Sequence, residues 1–210
     1  MKIKVCGNRD AQQIREMDAI GVDYAGLVFY DASPRAVTAE MQPAMLEGFA
    51  LKKVGVFVNE TIEHILDKVQ AYALDLVQLH GDETPAFCDH LSGHVKVIKA
   101  FRIQDGQTDI DWMVKDYYDV CDHYLFDNGS KGLYGGTGEK FDWNVLQQAE
   151  IGKRFFLSGG ISVNDVEMLK TFVHPYFYGI DINTRFEVAP GNKDIELLKK
   201  FVNLVRTDLK

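Results

Sequence analysis

Ile3-Lys4-Val5-Cys6-Gly7-Asn8-Arg9-Asp10 stands near the start of the chain and separates two parallel α/β architectures. Residues 3–5 form a short apolar run with the pattern of a buried strand, and Gly7 begins the turn that leaves it. A parallel α/β chain that starts this way is either a doubly wound open sheet or a closed barrel. A dinucleotide-binding open sheet needs Gly-x-Gly-x-x-Gly after its first strand, and Cys6-Gly7-Asn8-Arg9-Asp10 does not supply it. The barrel is expected. Further apolar runs recur at residues 24–29, 54–58, 76–79, 95–100, 124–126, 155–157 and 178–182. Most lack polar alternation, as strands buried on both faces do.

The stretches between these runs carry helical spacing. Ile62, Ile65, Leu66, Val69 and Ala73 share one apolar face, and Val163, Val166, Leu169 and Phe172 share another. Ser162 with Asp165 three residues on is a capping-box pattern, and Pro85 after Thr84 suits a first helical turn. A last helix from about Asp194 would bury Leu197, Leu198, Phe201 and Val205. Eight strand–helix units at roughly 20–30 residues each predict a single-domain (β/α)8 TIM barrel over residues 1–210.

Composition narrows the function. With 46% hydrophobic residues the chain can bury one large core, and a net charge of −8 argues against nucleic acid as a partner. Cys6, Cys88 and Cys121 fall at unrelated spacings, which suggests neither a disulfide frame nor a zinc site. No leader pattern and no apolar run of ~20 residues is present, so a cytoplasmic protein with no membrane partner is expected.

In a parallel barrel the strand ends share one crevice, and there the candidates gather. Cys6 after the first strand and Asp127 after the sixth suit proton movement: one group gives a proton to a leaving oxygen while the other removes one from carbon. Taken alone, each residue type is more often structural, as an inert buried thiol or a capping carboxylate. Arg35, stiffened by Pro34, has the planar fork that clamps a carboxylate. His80 ends strand four as a substrate donor or a structural histidine, and Asp181 orients substrate or caps a turn. Ser158-Gly159-Gly160 after strand seven and Asn183-Thr184-Arg185 after strand eight stand where barrels bind phosphate, with Gly159, Gly160, Asn183 and Thr184 the candidate contacts. The cluster Gly129 to Gly138 fails the P-loop test, because Glu139 stands where the lysine belongs, and reads as a flap. Lys99 is a possible Schiff-base lysine or a polar barrel residue. Cys88, His90 and His94 lack a completing carboxylate, so no metal is expected.

The motifs in order resemble one family. Lys4-Val5-Cys6-Gly7, Gly26-Leu27-Val28-Phe29 with Ser33-Pro34-Arg35, and Val77-Gln78-Leu79-His80-Gly81 are joined by Leu125-Phe126-Asp127, Leu157-Ser158-Gly159-Gly160 and Gly179-Ile180-Asp181-Ile182. Together they resemble phosphoribosylanthranilate isomerase, a barrel enzyme of tryptophan biosynthesis. The resemblance implies a cofactor-free Amadori rearrangement of a small phosphosugar by a monomer or homodimer. It implies Asp127 as general acid, Cys6 as base, Arg35 on the anthranilate carboxylate and the last two loops on phosphate. One departure is Asn183-Thr184-Arg185-Phe186, where the family carries a small Ser-Ser-Gly-like turn. Other readings are another phosphosugar enzyme on the same fold, or a barrel that binds phosphosugar without turnover.

Overall fold

The computed structural model describes residues 1–104, 106–129, 138 and 140–208. Eight parallel strands close into a barrel in chain order: β1 Lys2–Val5, β2 Tyr24–Val28, β3 Lys52–Phe57, β4 Leu76–Leu79, β5 Lys96–Ile103, β6 His123–Asn128, β7 Phe155–Leu157 and β8 Phe177–Ile182. β8 returns to β1 with Lys4 opposite Asp181. Around the barrel lie α1 Ala11–Ala19, α2 Ile62–Tyr72, α3 Pro85–Ser92, α4 Ile110–Val114, α5 Asn144–Gln147, α6 Val166–Thr171 and α7 Ile195–Asp208. Two short antiparallel strands, β9 Glu187–Ala189 and β10 Asn192–Lys193, follow β8.

Each strand sends alternate residues in and out. Outward residues such as Ile3, Val5, Val77, Val97 and Phe126 pack under the helices, with Leu198, Phe201 and Val205 of α7 among their partners in the outer core. Inward, Tyr24, Val54, Leu76, Ile98, Leu125 and Phe156 form a plug, and above it Cys6, Val28 and Val56 line the mouth. The interior is therefore a packed core with its open end at the strand carboxyl termini, as barrel geometry dictates.

β8 breaks this alternation. Phe155 pairs with Phe177 but Phe156 pairs with Gly179, so β8 carries one extra residue against β7. Phe177, Ile180 and Ile182 face out, while Tyr178 packs on the inner plug and Asp181 bonds to Lys4 inside. This bulge re-aims Asp181 into the barrel. Gly179 is required there, because a Cβ would lie 2.4 Å from the Lys2 carbonyl oxygen.

Three expectations are corrected. No α-helix joins β2 to β3 among the described residues; one 3-10 turn, Pro43–Leu46, stands there, because Pro43 lacks an N–H and Gly48 takes φ +78°. Two residues of the expected helix faces fall past their helices: Phe172 after α6, in extended backbone, and exposed Ala73 after α2, at φ +47°. β5 and β6 run beyond their apolar cores, to Ile103 and Asn128, so Asp127 lies within a strand, opposite Arg102. The capping box of Ser162 and Asp165 is present, leading through a short turn into α6. Most of the glycine cluster read as a flap lies outside the described residues.

Candidate active site

The carboxyl ends of the strands enclose a cavity of ≈ 270 Å³, and all nine residues singled out above as catalytic, substrate-binding or phosphate-binding line it. Cys6 leaves β1 with its amide bonded to the Ile182 carbonyl at 2.9 Å. The next turn is pinned by Asn8, whose buried amide donates to the Val5 and Gly26 carbonyls at 2.8 and 3.1 Å. Gly7 takes φ +74° and passes directly over Arg35 and Asn183.

Beneath Cys6 lies Lys4, fully buried, its ammonium 2.9 Å from Asp181. Burial alone would lower the Lys4 value, but Asp181 and Cys6 outweigh it and hold the ammonium above its ordinary range. Burial pushes the Cys6 thiol up, Lys4 pulls it down, and Asp181 and Lys193 add smaller opposing pushes. The Asp181 carboxyl is raised chiefly by burial, against the pull of Lys4, with Asp127 raising it further.

Across the cavity Asp127 is nearly buried, and its Oδ1 accepts the Asn128 amide at 2.9 Å. Its Oδ2 faces His80 Nε2 at 3.4 Å. Gln78 Nε2 lies 2.8 Å from His80 Nδ1, and donation from the amide leaves the ring proton on Nε2, toward Asp127. Gly159, at φ +88°, passes close to this carboxylate: a Cβ would meet the Asn128 nitrogen at 3.1 Å and Asp127 Oδ1 at 3.2 Å. The glycine thus gives clearance to the acid as well as bending the loop.

Arg35 is committed to an internal partner. Its Nε and Nη2 both donate to Glu187, at 2.9 and 2.7 Å to Oε2, and Nη2 reaches Thr184 Oγ1 at 3.5 Å. Glu187 also accepts from buried Lys193 at 2.7 Å and from the Gly191 amide at 3.0 Å. Lys193 in turn donates to Asn183 Oδ1 at 2.7 Å. Burial opposes ionisation of Glu187, but Arg35 and Lys193 prevail and hold its carboxyl below the usual range. Lys193 is lowered, because burial outweighs the pull of Glu187. After β8, Arg185 donates through Nε and Nη2 to the Gly138 carbonyl at 3.2 and 2.8 Å, which ties this loop to the end of the glycine cluster.

Other candidates fall away from the cavity. Lys99 lies on the outer side of β5 between Val97 and Phe101, bonded to Glu83 at 3.0 Å and to the Gly81 carbonyl at 2.8 Å. That position gives a Schiff-base lysine no substrate. His90 and His94 stack on each other at 6.0 Å, and among the described residues no cluster of His, Cys, Asp or Glu fits a metal ion. No helix is long and apolar enough to cross a membrane among the described residues.

The sequence reading missed Lys4, Gln78, Glu187 and Lys193. For two of them a signal existed: Lys4 stands two before Cys6, and Gln78 two before His80, so each shares the inward face of its strand. Glu187 and Lys193 carry no such local mark.

The comparisons agree along the whole chain. A family model described as N-(5'phosphoribosyl)anthranilate (PRA) isomerase matches residues 3–204. The N-(5'-phosphoribosyl)anthranilate isomerase of Parabacteroides distasonis is 43% identical over 209 residues, which cover 98% of this chain and 93% of that protein. Phosphoribosyl anthranilate isomerase from Thermotoga maritima superposes with a TM-score of 0.85 at 29% identity over 99% of both chains. A phosphoribosyl anthranilate isomerase in complex with reduced 1-(o-carboxyphenylamino)-1-deoxyribulose 5-phosphate superposes with a TM-score of 0.83 at 28% identity, again over 99% of both.

Proposed function

The chain belongs to the N-(5'-phosphoribosyl)anthranilate isomerase family, and from that premise we propose how its own residues carry the reaction. The protein is an isomerase of tryptophan biosynthesis: it converts N-(5'-phosphoribosyl)anthranilate to 1-(2-carboxyphenylamino)-1-deoxy-D-ribulose 5-phosphate. Asp127 gives its proton to the ribose ring oxygen as the bond from that oxygen to C1 breaks. The nitrogen lone pair closes to an iminium. The Cys6 thiolate then takes the proton from C2, and those electrons form the enolamine, which tautomerises to the ketone. No oxidant or external hydride is consumed, because one carbon is oxidised as its neighbour is reduced.

What supports these roles is that Cys6 and Asp127 line one cavity, each with a partner suited to its task. His80 faces the Asp127 carboxyl, and the Lys4 ammonium lies on the Cys6 side. Gly159, Gly160, Asn183 and Thr184 edge the same space and are assigned to the phosphate, and Asp181 to the sugar. Arg35 is assigned to the anthranilate carboxylate, which it would meet through Nη1, since Glu187 takes Nε and Nη2.

Loss of substrate fluorescence on turnover tests this reading. Cys6→Ala and Asp127→Asn should each lower kcat by at least ~10²-fold, the scale of losing a positioned acid or base, with substrate binding kept. Near-normal turnover in either variant would remove that residue from its role.

A further inference from the structure

Gly26 on β2 marks the place where two reactive groups meet. A Cβ there would lie 2.9 Å from Cys6 Sγ and 3.2 Å from Lys4 Nζ, so the thiol and the ammonium share the space that the missing side chain leaves. Lys4 is fully buried and Cys6 is 7% exposed. Bulk water therefore screens their interaction little. Asp181 anchors the ammonium from the β8 side at 2.9 Å, and the bulge in β8 is what points it there.

The charged groups facing Cys6 come from several elements. Lys4 lies on its own strand, Asp181 on β8 and Lys193 on β10. Asp127 on β6 and His80 at the end of β4 act on Asp181 from across the cavity, and Arg35 after β2 acts on Lys193. Lys4 is the leading compensation for a negative sulfur, and Asp181 anchors it in place. Burial of a thiolate without such a cation is costly.

We propose that Lys4 is the positioning residue of the reaction, a buried ammonium beside Cys6 whose charge lets the sulfur work as a thiolate base. This rests on Cys6 being the base, as proposed above. Asp181, bonded to the same ammonium at 2.9 Å, carries the opposite charge and repels the thiolate. The two residues therefore act on the sulfur with opposite sign. A purely structural ion pair has no such signature, because breaking it from either side would disturb the site alike.

The test is the pH dependence of Cys6 alkylation by iodoacetamide, with Cys6→Ala as the blank for Cys88 and Cys121. It needs no turnover, so it reads the thiolate independently of the isomerase assay. Lys4→Gln should move the titration to higher pH and slow alkylation at neutral pH by at least ~10-fold, the equivalent of one pKa unit. Asp181→Asn should move it to lower pH and speed alkylation. Lys4→Arg, which keeps the charge, should restore most of the rate lost in Lys4→Gln. If Lys4→Gln fails to fold, the downward shift in Asp181→Asn remains required. Unchanged titration, or shifts of the same sign in both variants, overturns the proposal. Full turnover by Cys6→Ala would instead overturn the assignment of the base.

Discussion

At the scale of single residues, the site depends on charges paired out of water. Arg35, Glu187, Lys193 and Asn183 form one chain of hydrogen bonds, and Glu187 is its centre, with 3% of its side chain exposed. Removing one partner of a buried pair leaves an uncompensated charge, at a cost of about 3–5 kcal/mol. Glu187→Gln should therefore lower stability in urea by about 3 kcal/mol, although the side chains are nearly the same size. The dependence on pH has a definite sign. The folded carboxyl of Glu187 lies below its ordinary value of 4.5, so its contribution is fully present above 4.5 and fades as pH falls through the depressed value. The difference between parent and variant should shrink in acid; a difference that persisted there would mean that shape, and not charge, holds the site. At this scale the sequence was partly legible. Cys6, Asp127 and Asp181 stand at the ends of apolar runs, where a parallel fold sends its polar residues. Glu187 sits beyond the last run, and its partner Arg35 is 152 positions away.

Between residues and the whole lies the strand, and β8 shows what one extra residue does. Strict alternation from Phe177 would put Asp181 outside the barrel among apolar neighbours. The added residue opposite β7 turns it inward to Lys4. Gly179→Ala would press a Cβ against the carbonyl oxygen and carbon of Lys2, at 2.4 and 2.9 Å, and backbone cannot step aside as a side chain tip can. The expected result is a loss of about 1–3 kcal/mol, the range for overpacking, with a fall in turnover as Asp181 loses its aim. A fully active, equally stable Gly179→Ala variant would show that the β1–β8 seam can absorb the group. The run at 178–182 was visible in the sequence, but its bulge was not. A bulge is a relation between two strands, and neither strand alone encodes it. The missing helix between β2 and β3 is a milder case, since Pro43 and Gly48 both discourage helix in that stretch.

Across the whole molecule, three aspartates repeat one device at the amino end of the barrel. Asp23, Asp75 and Asp122 stand just before β2, β4 and β6, and each accepts the backbone N–H of Ile3, Lys53 or Val97 at 2.8 Å. Each also donates its own amide to the carbonyl of that same residue, at 3.0, 2.9 and 2.8 Å. Odd strands are thus clasped to the even strands that follow them. Asp23 does more, because it also pairs with Lys2 and with Arg206 of α7, joining both ends of the chain. Burial works against its charge, but Lys2, the Ile3 amide and Arg206 outweigh it and lower its carboxyl below 3.8. Its contribution is therefore present above pH 3.8 and is lost as pH falls through the lowered value. Asp23→Ala should cost about 1–3 kcal/mol at neutral pH, the penalty of orphaning a hydrogen-bonded amide, and the deficit should narrow in acid unfolding. Apolar runs along the chain mark where the strands lie, and the polar residues that end those runs mark the mouth. Those are local matters: side chains alternate along a strand and helices repeat every 3.6 residues, so apolar spacing records them. That Lys4 meets Asp181, that Glu187 takes the fork of Arg35, and that Lys99 faces away from the cavity follows from the closed fold alone. These pairings join strands far apart in the chain, and they exist because closing and staggering the barrel brings particular buried charges within a few ångströms, where low polarizability makes each need a partner.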